Sequence, residues 1–133
     1  MNYELLLREH KLKVTPQRLG ILTLMQSAGH LDVEELFVLI KKQFSSISLA
    51  TLYKNINAML ENSLITEIKI PKHKSKYEIA KEPHIHLLCQ KCNEFIDVNV
   101  NIESLVDEAS MKSHYQLVDS SIVLCGVCEK CQE

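Results

Sequence analysis

Four cysteines form two identical pairs, each with two residues between its members. The pairs are Cys89-Gln90-Lys91-Cys92 and Cys128-Glu129-Lys130-Cys131. Two intervening residues let a tight turn direct both sulfurs at one metal ion, and two such turns complete a tetrahedral four-thiolate shell. A closed shell leaves no position for water or substrate, so the spacing predicts a structural zinc. Separate redox-active or incidental cysteine pairs are the alternative.

The fifth cysteine, Cys125, lies three residues before Cys128 and creates a second possible register. We assign Cys128 and Cys131 to the zinc because Gly126 can turn the chain after a strand, which leaves Cys125 at the end of that strand. Cys125 is then expected to be a small buried apolar side chain. A redox-active thiol is the alternative.

A second group of possible ligands is centred on His84-Ile85-His86. Alternation in a strand would place both imidazoles on one face, where neutral nitrogens suit Fe, Mn, Zn, Ni or Cu. Glu78 and Asp97 flank this segment at candidate strand positions. Nitrogen and oxygen ligands select a different metal from four thiolates, so we expect one site that holds the fold and one that senses. Histidines that only hydrogen-bond are the alternative.

The segments that must position these ligands differ in charge. The chain has 133 residues, is 46% apolar and has a formal net charge of -2. Residues 1–80 carry eleven Lys and Arg against eight Asp and Glu, whereas residues 81–133 carry four against nine and contain all five cysteines. The composition excludes a disordered chain, and no apolar run approaches the ~18 residues of a membrane span. We expect a basic domain over 1–80, a hinge over 81–83 and an acidic metal-binding domain over 84–133.

The basic part is predicted to contain several short helices followed by a hairpin. Helix-start signals occur at Thr15-Pro16, at Asp32 with Glu35 three residues later, and at Ser48. A first helix is expected over 3–11, and the last helix should bury the stripe Leu49, Leu52, Ile56, Met59 and Leu60. The polar side of this last helix, away from the core, is expected to carry Thr51, Lys54, Asn55 and Asn57. The strands expected over 64–70 and 76–79 flank a basic loop.

This order predicts an α+β fold that begins with a winged helix-turn-helix, in which residues 48–62 form the recognition helix and 72–76 the wing. The candidate DNA contacts are Lys13, Arg18, Ser48, Thr51, Tyr53, Lys54 and Asn55. Lysine and arginine contacts to phosphates position a protein on the duplex without specifying sequence, and we expect this of Arg18 and the wing. A small helical domain with a solvated basic loop is the alternative.

The acidic part is predicted to form a small α/β domain. Strands are expected over 85–88 and 94–98 around the first cysteine pair, a helix from about 101 to 114, and a last strand over 117–124. About 50 residues of this kind bury too little apolar surface to fold alone, so the zinc must staple them. The opening residues Met1-Asn2-Tyr3-Glu4 lack a secretion signal, so we expect the cytoplasm, where cysteines stay reduced.

Several motifs together resemble the ferric uptake regulator (Fur) family. They are Lys13-Val14-Thr15-Pro16-Gln17-Arg18, Ser46-Ile47-Ser48-Leu49-Ala50-Thr51-Leu52-Tyr53, His84-X-His86-X-X-Cys89-X-X-Cys92 and Cys128-X-X-Cys131. The resemblance implies a dimeric repressor with an N-terminal winged-helix domain and a C-terminal α/β dimerisation domain. It implies double-stranded, palindromic DNA as the partner, a homodimer, no membrane and no enzymatic activity.

The resemblance also implies the ligand sets. Structural zinc falls on Cys89, Cys92, Cys128 and Cys131, and a regulatory Fe(II) or Mn(II) on His30, Glu78, His84, His86 and Asp97. Tyr53 matches the family's base-contacting tyrosine, Lys54 matches a basic position that is often Arg in the family, and Lys13 matches one that approaches the minor groove.

Within the family, Asp97 resembles the peroxide-sensing PerR branch, whereas Glu78 resembles the iron-uptake regulators. Pro83, Ile85 and Ser120 stand where many Fur proteins carry ligands of an additional metal site. We expect the peroxide-sensing branch, in which iron-catalysed oxidation of His30 or His84 releases the repressor. The alternatives are an iron, zinc, manganese or nickel sensor without peroxide sensing, a zinc-stapled interaction module, and a thiol oxidoreductase or metal-dependent hydrolase.

Overall fold

The structure is a computed structural model that describes residues 1–133. The chain divides into two compact units, Met1–Lys81 and Glu82–Glu133. This division falls within the 81–83 segment, where the composition changes from basic to acidic. No helix combines the length and apolarity that spanning a bilayer requires.

The first unit contains four helices with clear start signals. They are α1 (Tyr3–Glu9), α2 (Pro16–Ala28), α3 (Val33–Lys41) and α4 (Leu49–Glu61). The Thr15 hydroxyl accepts the Arg18 N–H at 3.2 Å, Asp32 and Glu35 form a reciprocal capping box, and Ser48 caps α4. These caps satisfy backbone N–H groups that the first helical turn leaves free, so all three predicted helix starts are confirmed.

Helix α4 buries most of its predicted apolar stripe, since Leu52, Ile56 and Met59 are fully or almost fully buried. The prediction was wrong at the start of the helix, because Leu49 is 44% exposed in the first turn. It was also wrong to place Asn55 on the exposed polar face, because Asn55 is only 9% exposed. The buried face of α4 therefore carries one polar residue.

Strands β1 (Ile65–Ile68) and β2 (Lys76–Ile79) form an antiparallel hairpin. Tyr77 and Leu31 exchange two backbone hydrogen bonds, with N···O distances of 2.8 and 3.1 Å, which join β2 to the segment before α3. Helices α2 to α4 followed by this hairpin form the predicted winged-helix arrangement, in which α4 stands at the position of the recognition helix and residues 72–76 lie at the hairpin tip.

Replacing the cap of the recognition helix should destabilise the first unit. The Ser48 Oγ accepts the Thr51 N–H at 3.1 Å, and alanine would leave that N–H without this partner. We expect Ser48→Ala to lower the free energy of unfolding by about 1 kcal/mol, measured by urea denaturation. Ser46→Ala is the control, because Ser46 is exposed and caps no helix. Equal stabilities of the two variants would contradict the assignment.

The second unit contains a three-stranded sheet and one helix. Its elements are β3 (Ile85–Cys89), β4 (Phe95–Val98), α5 (Glu103–Ser113), β5 (Val123–Gly126) and a short 3-10 helix (Glu129–Cys131). Strand β3 lies in the middle, antiparallel to β4 and parallel to β5. The last strand was predicted over 117–124, but β5 begins only at Val123, and the residues after α5 are irregular. Few residues are buried here, and none of them lies in α5.

Candidate metal centres and nucleic-acid surface

The four cysteines of the two Cys-X-X-Cys pairs come together as predicted, with their sulfurs within 4.8 Å of one another. Parallel pairing of β3 with β5 sets Cys89 opposite Gly126, which brings the two cysteine turns to the same end of the sheet. The Sγ atoms of Cys92 and Cys128 are 3.7 Å apart. Four converging sulfurs with no oxygen or nitrogen donor among them fit a closed tetrahedral zinc site.

Backbone N–H groups prepare one of these sulfurs for metal binding. The N–H groups of Cys128 and Cys92 point at the Cys89 Sγ, with N···S distances of 3.3 and 3.5 Å. These hydrogen bonds, that from Cys128 first, lower the pKa of the Cys89 thiol to about 6. Hydrogen bonding with Cys128 raises the pKa of the Cys131 thiol to about 12. These N–H groups therefore favour the thiolate form of Cys89, which is the form that binds metal.

Cys125 lies outside this cluster, in agreement with the register chosen from the sequence. It sits in β5 opposite Leu88, but the prediction that it is buried was wrong, because its side chain is exposed. Strand β5 is at the edge of the sheet, so one side of it has no neighbouring strand in this chain.

The second unit also brings His84, His86 and Asp97 together. Antiparallel pairing of β3 with β4 sets His86 opposite Asp97. The His86 Nε2 lies 3.0 Å from the His84 Nε2 and 3.3 Å from an Asp97 carboxylate oxygen, while the His84 Nε2 lies 3.9 Å from the other. His84, directly before β3, and His86 within it therefore turn their imidazoles to the same side, as the alternation predicts.

Neighbouring groups fix the orientation of both rings. The His84 Nδ1 lies 2.8 Å from the Glu82 carbonyl oxygen, which can only accept, so Nδ1 is the donor of this hydrogen bond and Nε2 faces His86. The His86 ring stacks on Phe95, with ring centroids 5.1 Å apart. Metal-binding histidines commonly use one nitrogen for such an orienting hydrogen bond and the other for the ion.

A further nitrogen and oxygen pair occurs in the first unit. Gly29 ends α2 with a φ of 84°, a left-handed conformation that favours glycine, and directs His30 away from the helix. The His30 Nε2 lies 3.7 Å from a carboxylate oxygen of Glu78, which is in β2 and only 3% exposed. A buried carboxylate needs a charged or hydrogen-bonding partner, so this pair has the character of a ligand set.

The candidate DNA-contacting residues differ in their exposure and in whether their polar groups already form hydrogen bonds within the protein. Tyr53 is 43% exposed on α4, and Lys54 and Lys13 are also exposed. The Ser48 hydroxyl is engaged with Thr51, as cap of its N–H and as donor to its hydroxyl oxygen at 2.9 Å. Arg18 and Asn55 hydrogen-bond each other, with 3.0 Å between the Arg18 Nε and the Asn55 Oδ1.

Two lysines of the wing are paired with carboxylates of α3. Lys74 forms an ion pair with Glu34, and the Lys76 ammonium lies 3.2 Å from Glu35. The hydrogen bond that Lys74 donates to the Glu34 carboxylate raises the pKa of this exposed ammonium. Lys72 is exposed at a positive φ of 63°. The sequence indicates only a basic loop, so these ion pairs were not predicted, although two adjacent acidic residues, Glu34 and Glu35, stand at the start of α3.

Comparison with known proteins decides the family. Residues 9–125 match the sequence model described as the ferric uptake regulator family. The chain belongs to this family. Fur-family regulators are dimeric DNA-binding transcription factors rather than enzymes.

Similar proteins include both kinds of Fur-family regulator. The ferric uptake regulation protein of Neisseria meningitidis is 31% identical over 130 residues, which cover 95% of this chain and 90% of that protein. The peroxide-responsive repressor PerR of Staphylococcus epidermidis is 25% identical, with 96% and 86% covered. The crystal structure of the Campylobacter jejuni peroxide stress regulator has a TM-score of 0.78 at 35% identity, with 98% of this chain and 100% of that chain covered.

Within the Fur-family fold, the groups that orient the histidines were not found from the sequence. The Glu82 carbonyl contributes a backbone atom, so no side-chain motif could reveal it. Phe95 could have been found, because it lies at the start of a strand expected to pair beside the histidine strand.

Proposed function

We propose that this Fur-family protein is a cytoplasmic, metal-dependent repressor that binds a palindromic, double-stranded DNA operator as a homodimer and senses peroxide. The observation that carries the proposal is the convergence of His84, His86 and Asp97 on one face of the second unit. The exposed Tyr53 and Lys54 on the recognition helix support DNA binding.

The four-cysteine cluster would hold a zinc ion with a structural role. Its donor set is all sulfur, which suits Zn(II) and leaves no open position for substrate. The two cysteine turns belong to β3 and to the segment after β5, so their shared ion would tie the end of the chain to the central strand. Bound zinc would supply folding free energy to a unit with little buried surface.

The regulatory ion would be held by His30 and Glu78 from the first unit together with His84, His86 and Asp97 from the second. Imidazole and carboxylate donors in this mixture suit Fe(II) or Mn(II). Because the ligands come from both units, we propose that one ion draws on both sets and restricts the hinge over 81–83.

Restriction of the hinge would control DNA affinity. A dimer reads a palindrome only when the spacing of its two recognition helices matches that of the half-sites. If the ligand sets meet in only one arrangement of the two units, metal shifts the population toward that arrangement by its difference in affinity. In this proposal the metal-binding side chains set the orientation of the two units, and α4 contacts the bases of the operator.

Peroxide sensing is supported by Asp97 and by the residues Pro83, Ile85 and Ser120, which supply no imidazole or carboxylate at positions where many Fur proteins do. A bound Fe(II) would catalyse the reaction of peroxide with a ligand imidazole. One oxygen atom of H2O2 would insert into a ring C–H bond, the ring would lose two electrons, and the other oxygen atom would leave as water. The expected product is a His30 or His84 imidazole that carries one added oxygen atom. Such a ring is a poorer donor, so the ligand set would loosen and the operator would be released.

An iron-dependent Fur repressor without peroxide sensing is the second candidate. Glu78 favours it, as does the 31% identity to the Neisseria meningitidis ferric uptake regulation protein. Both candidates share the DNA surface and the zinc cluster, and they differ only in whether peroxide modifies a ligand.

DNA binding is tested with a duplex selected from a random-sequence library by the Mn(II)-loaded protein. We expect selective binding with Mn(II), little without it, and an affinity that falls steeply with salt because lysines displace counterions from phosphates. A metal-loaded protein that shows no salt-dependent binding would support the zinc-stapled interaction module instead.

Lys54 provides a sharper test of the DNA-binding surface. If its ammonium lies against the duplex in both protomers of the homodimer, Lys54→Gln should reduce the slope of log affinity against log salt by about 1.8, which is about 0.9 for each protomer. Lys112→Gln removes the same charge from α5 and should leave the slope unchanged. Fluorescence anisotropy over a salt series measures both. Equal slopes for Lys54→Gln and wild type would show that the Lys54 ammonium does not contact the DNA phosphates.

A further inference from the structure

We propose that Arg18 and Asn55 form a positioning pair that sets operator selectivity by fixing the Lys13 segment against the recognition helix α4. Neither residue then acts mainly as a DNA contact. This role rests on the proposed DNA-binding function. It adds to that function the residues that hold the Lys13 loop and α4 in a fixed position relative to each other.

The start of α2 fixes where Arg18 points. Thr15 caps the helix and Pro16 occupies its first position, so Arg18 is the third helical residue. Helical side chains lean toward the N-terminus of their helix. Accordingly, the Arg18 Nη1 donates a hydrogen bond of 2.9 Å to the Lys13 carbonyl oxygen. The guanidinium thus binds the backbone of the residue expected to approach the minor groove.

Asn55 accepts a hydrogen bond from a second nitrogen of the same guanidinium. Its Oδ1 accepts from the Arg18 Nε at 3.0 Å, and its Nδ2 donates to the Thr51 carbonyl oxygen at 3.2 Å. An asparagine that reads adenine must offer both Oδ1 and Nδ2 to the base edge. Both groups of Asn55 are already engaged, and the residue is only 9% exposed. Asn55 therefore serves the protein interior.

The pair links two segments that are far apart in the sequence. Lys13 lies in the loop before α2, whereas Tyr53 and Lys54 are on α4. Arginine has a rigid planar fork of donors, so holding one acceptor at Nε and another at Nη1 fixes the acceptors relative to each other. A partly buried network of this kind strongly favours one arrangement. A shift of either segment would misalign the major-groove and minor-groove contacts.

Two substitutions of Arg18 separate positioning from phosphate binding. Arg18→Lys keeps the charge and loses the fork, while Arg18→Gln loses both. Positioning predicts that each variant loses about tenfold in its preference for the selected duplex over an unrelated one, with the salt slope unchanged. A phosphate contact in both protomers of the homodimer predicts that Arg18→Lys behaves as wild type and that Arg18→Gln lowers the salt slope by about 1.8.

Substitutions of Asn55 test the partner without changing any lysine or arginine. Asn55→Ala should reduce the preference for the selected duplex by about tenfold, and Arg18→Gln with Asn55→Ala together should be no worse than either alone. Asn55→Asp keeps an acceptor for the Arg18 Nε and should restore most of the preference. Thermal melting of each Mn(II)-loaded variant compares stability, and rescue by Asn55→Asp separates positioning from a general loss of folding.

The outcomes are distinguishable. Two results would overturn the positioning role without affecting the proposed DNA binding. One is an Asn55→Ala variant that keeps the wild-type preference for the selected duplex. The other is an Arg18→Lys variant that binds DNA like the wild type, together with a lowered salt slope in Arg18→Gln. A wild-type Mn(II)-loaded protein that enriches no duplex would overturn the proposed function and this inference with it. Parallel loss of preference in Arg18→Lys and Asn55→Ala, with unchanged slopes, is the result we expect.

Discussion

Cys92→Ser is expected to release the zinc and unfold residues 82–133. The substitution removes one of four converging sulfurs, and Cys92 is exposed, so the smaller oxygen opens no cavity in the core. Structural zinc contributes about 10–16 kcal/mol of apparent binding free energy in zinc-finger peptides. That is comparable to the total stability of about 5–15 kcal/mol that is typical of a domain. Because α5 has no buried residue, little else in the unit compensates.

Cys125→Ser is the matched control for this experiment. Cys125 lies in the same unit and is also exposed, but it stands outside the cluster. We expect it to keep full zinc content and the wild-type melting temperature, measured by atomic absorption and circular dichroism. Loss of zinc in Cys125→Ser with retention in Cys131→Ser would show that the ligands are Cys125 and Cys128 instead.

His86→Ala is expected to abolish metal-dependent DNA binding while leaving the zinc in place. His86 is only 5% exposed, and its Nε2 is within 3.3 Å of both His84 and Asp97, so it is the central donor of the second-unit set. Loss of a residue that merely orients a metal ligand typically costs 10–100-fold in affinity, so loss of a ligand should weaken Mn(II) binding at least about a hundredfold.

His114→Ala is the control for His86→Ala, because His114 is an exposed histidine at the end of α5 and belongs to neither ligand group. It should retain Mn(II) binding, measured by isothermal titration, and operator binding, measured by anisotropy. Wild-type Mn(II) affinity in His86→Ala, at full zinc content and unchanged melting temperature, would contradict the proposed regulatory site.

Features set by local chemistry could be predicted from the sequence. The caps at Thr15, Asp32 and Ser48 need only a side-chain oxygen and the first turn of a helix, so the motif determines the geometry. The zinc cluster depends on two tight turns of fixed spacing, and the histidine pair on strand alternation. Each of these signals lies within a few residues of the chain.

Features that depend on contacts between distant parts of the chain could not be predicted from the sequence in this way. The weak alternation after residue 117 predicted a strand, but a residue joins the sheet only where a partner backbone is available. Strand β3 begins at Ile85 and pairs with β5 from His86 opposite Val123, which leaves the earlier residues without a partner strand. Cys125 is exposed because β5 is an edge strand, a property that the sequence of one strand does not carry.

Asn55 is an intermediate case. It lies three residues after Leu52 and four before Met59, so its spacing placed it on the buried stripe of α4. Its polarity suggested the opposite face. The burial became favourable only because Arg18, 37 residues earlier, supplies a hydrogen-bond donor there.

The most direct test of peroxide sensing compares the Fe(II)-loaded and Mn(II)-loaded protein before and after a low dose of peroxide. Operator binding is followed by anisotropy, and His30 and His84 are examined by peptide mass spectrometry. The proposal predicts that only the iron form loses operator binding and that one of these histidines gains the mass of one oxygen atom. Retained binding of the iron form, with both histidines unmodified, would contradict peroxide sensing and leave the iron-dependent repressor.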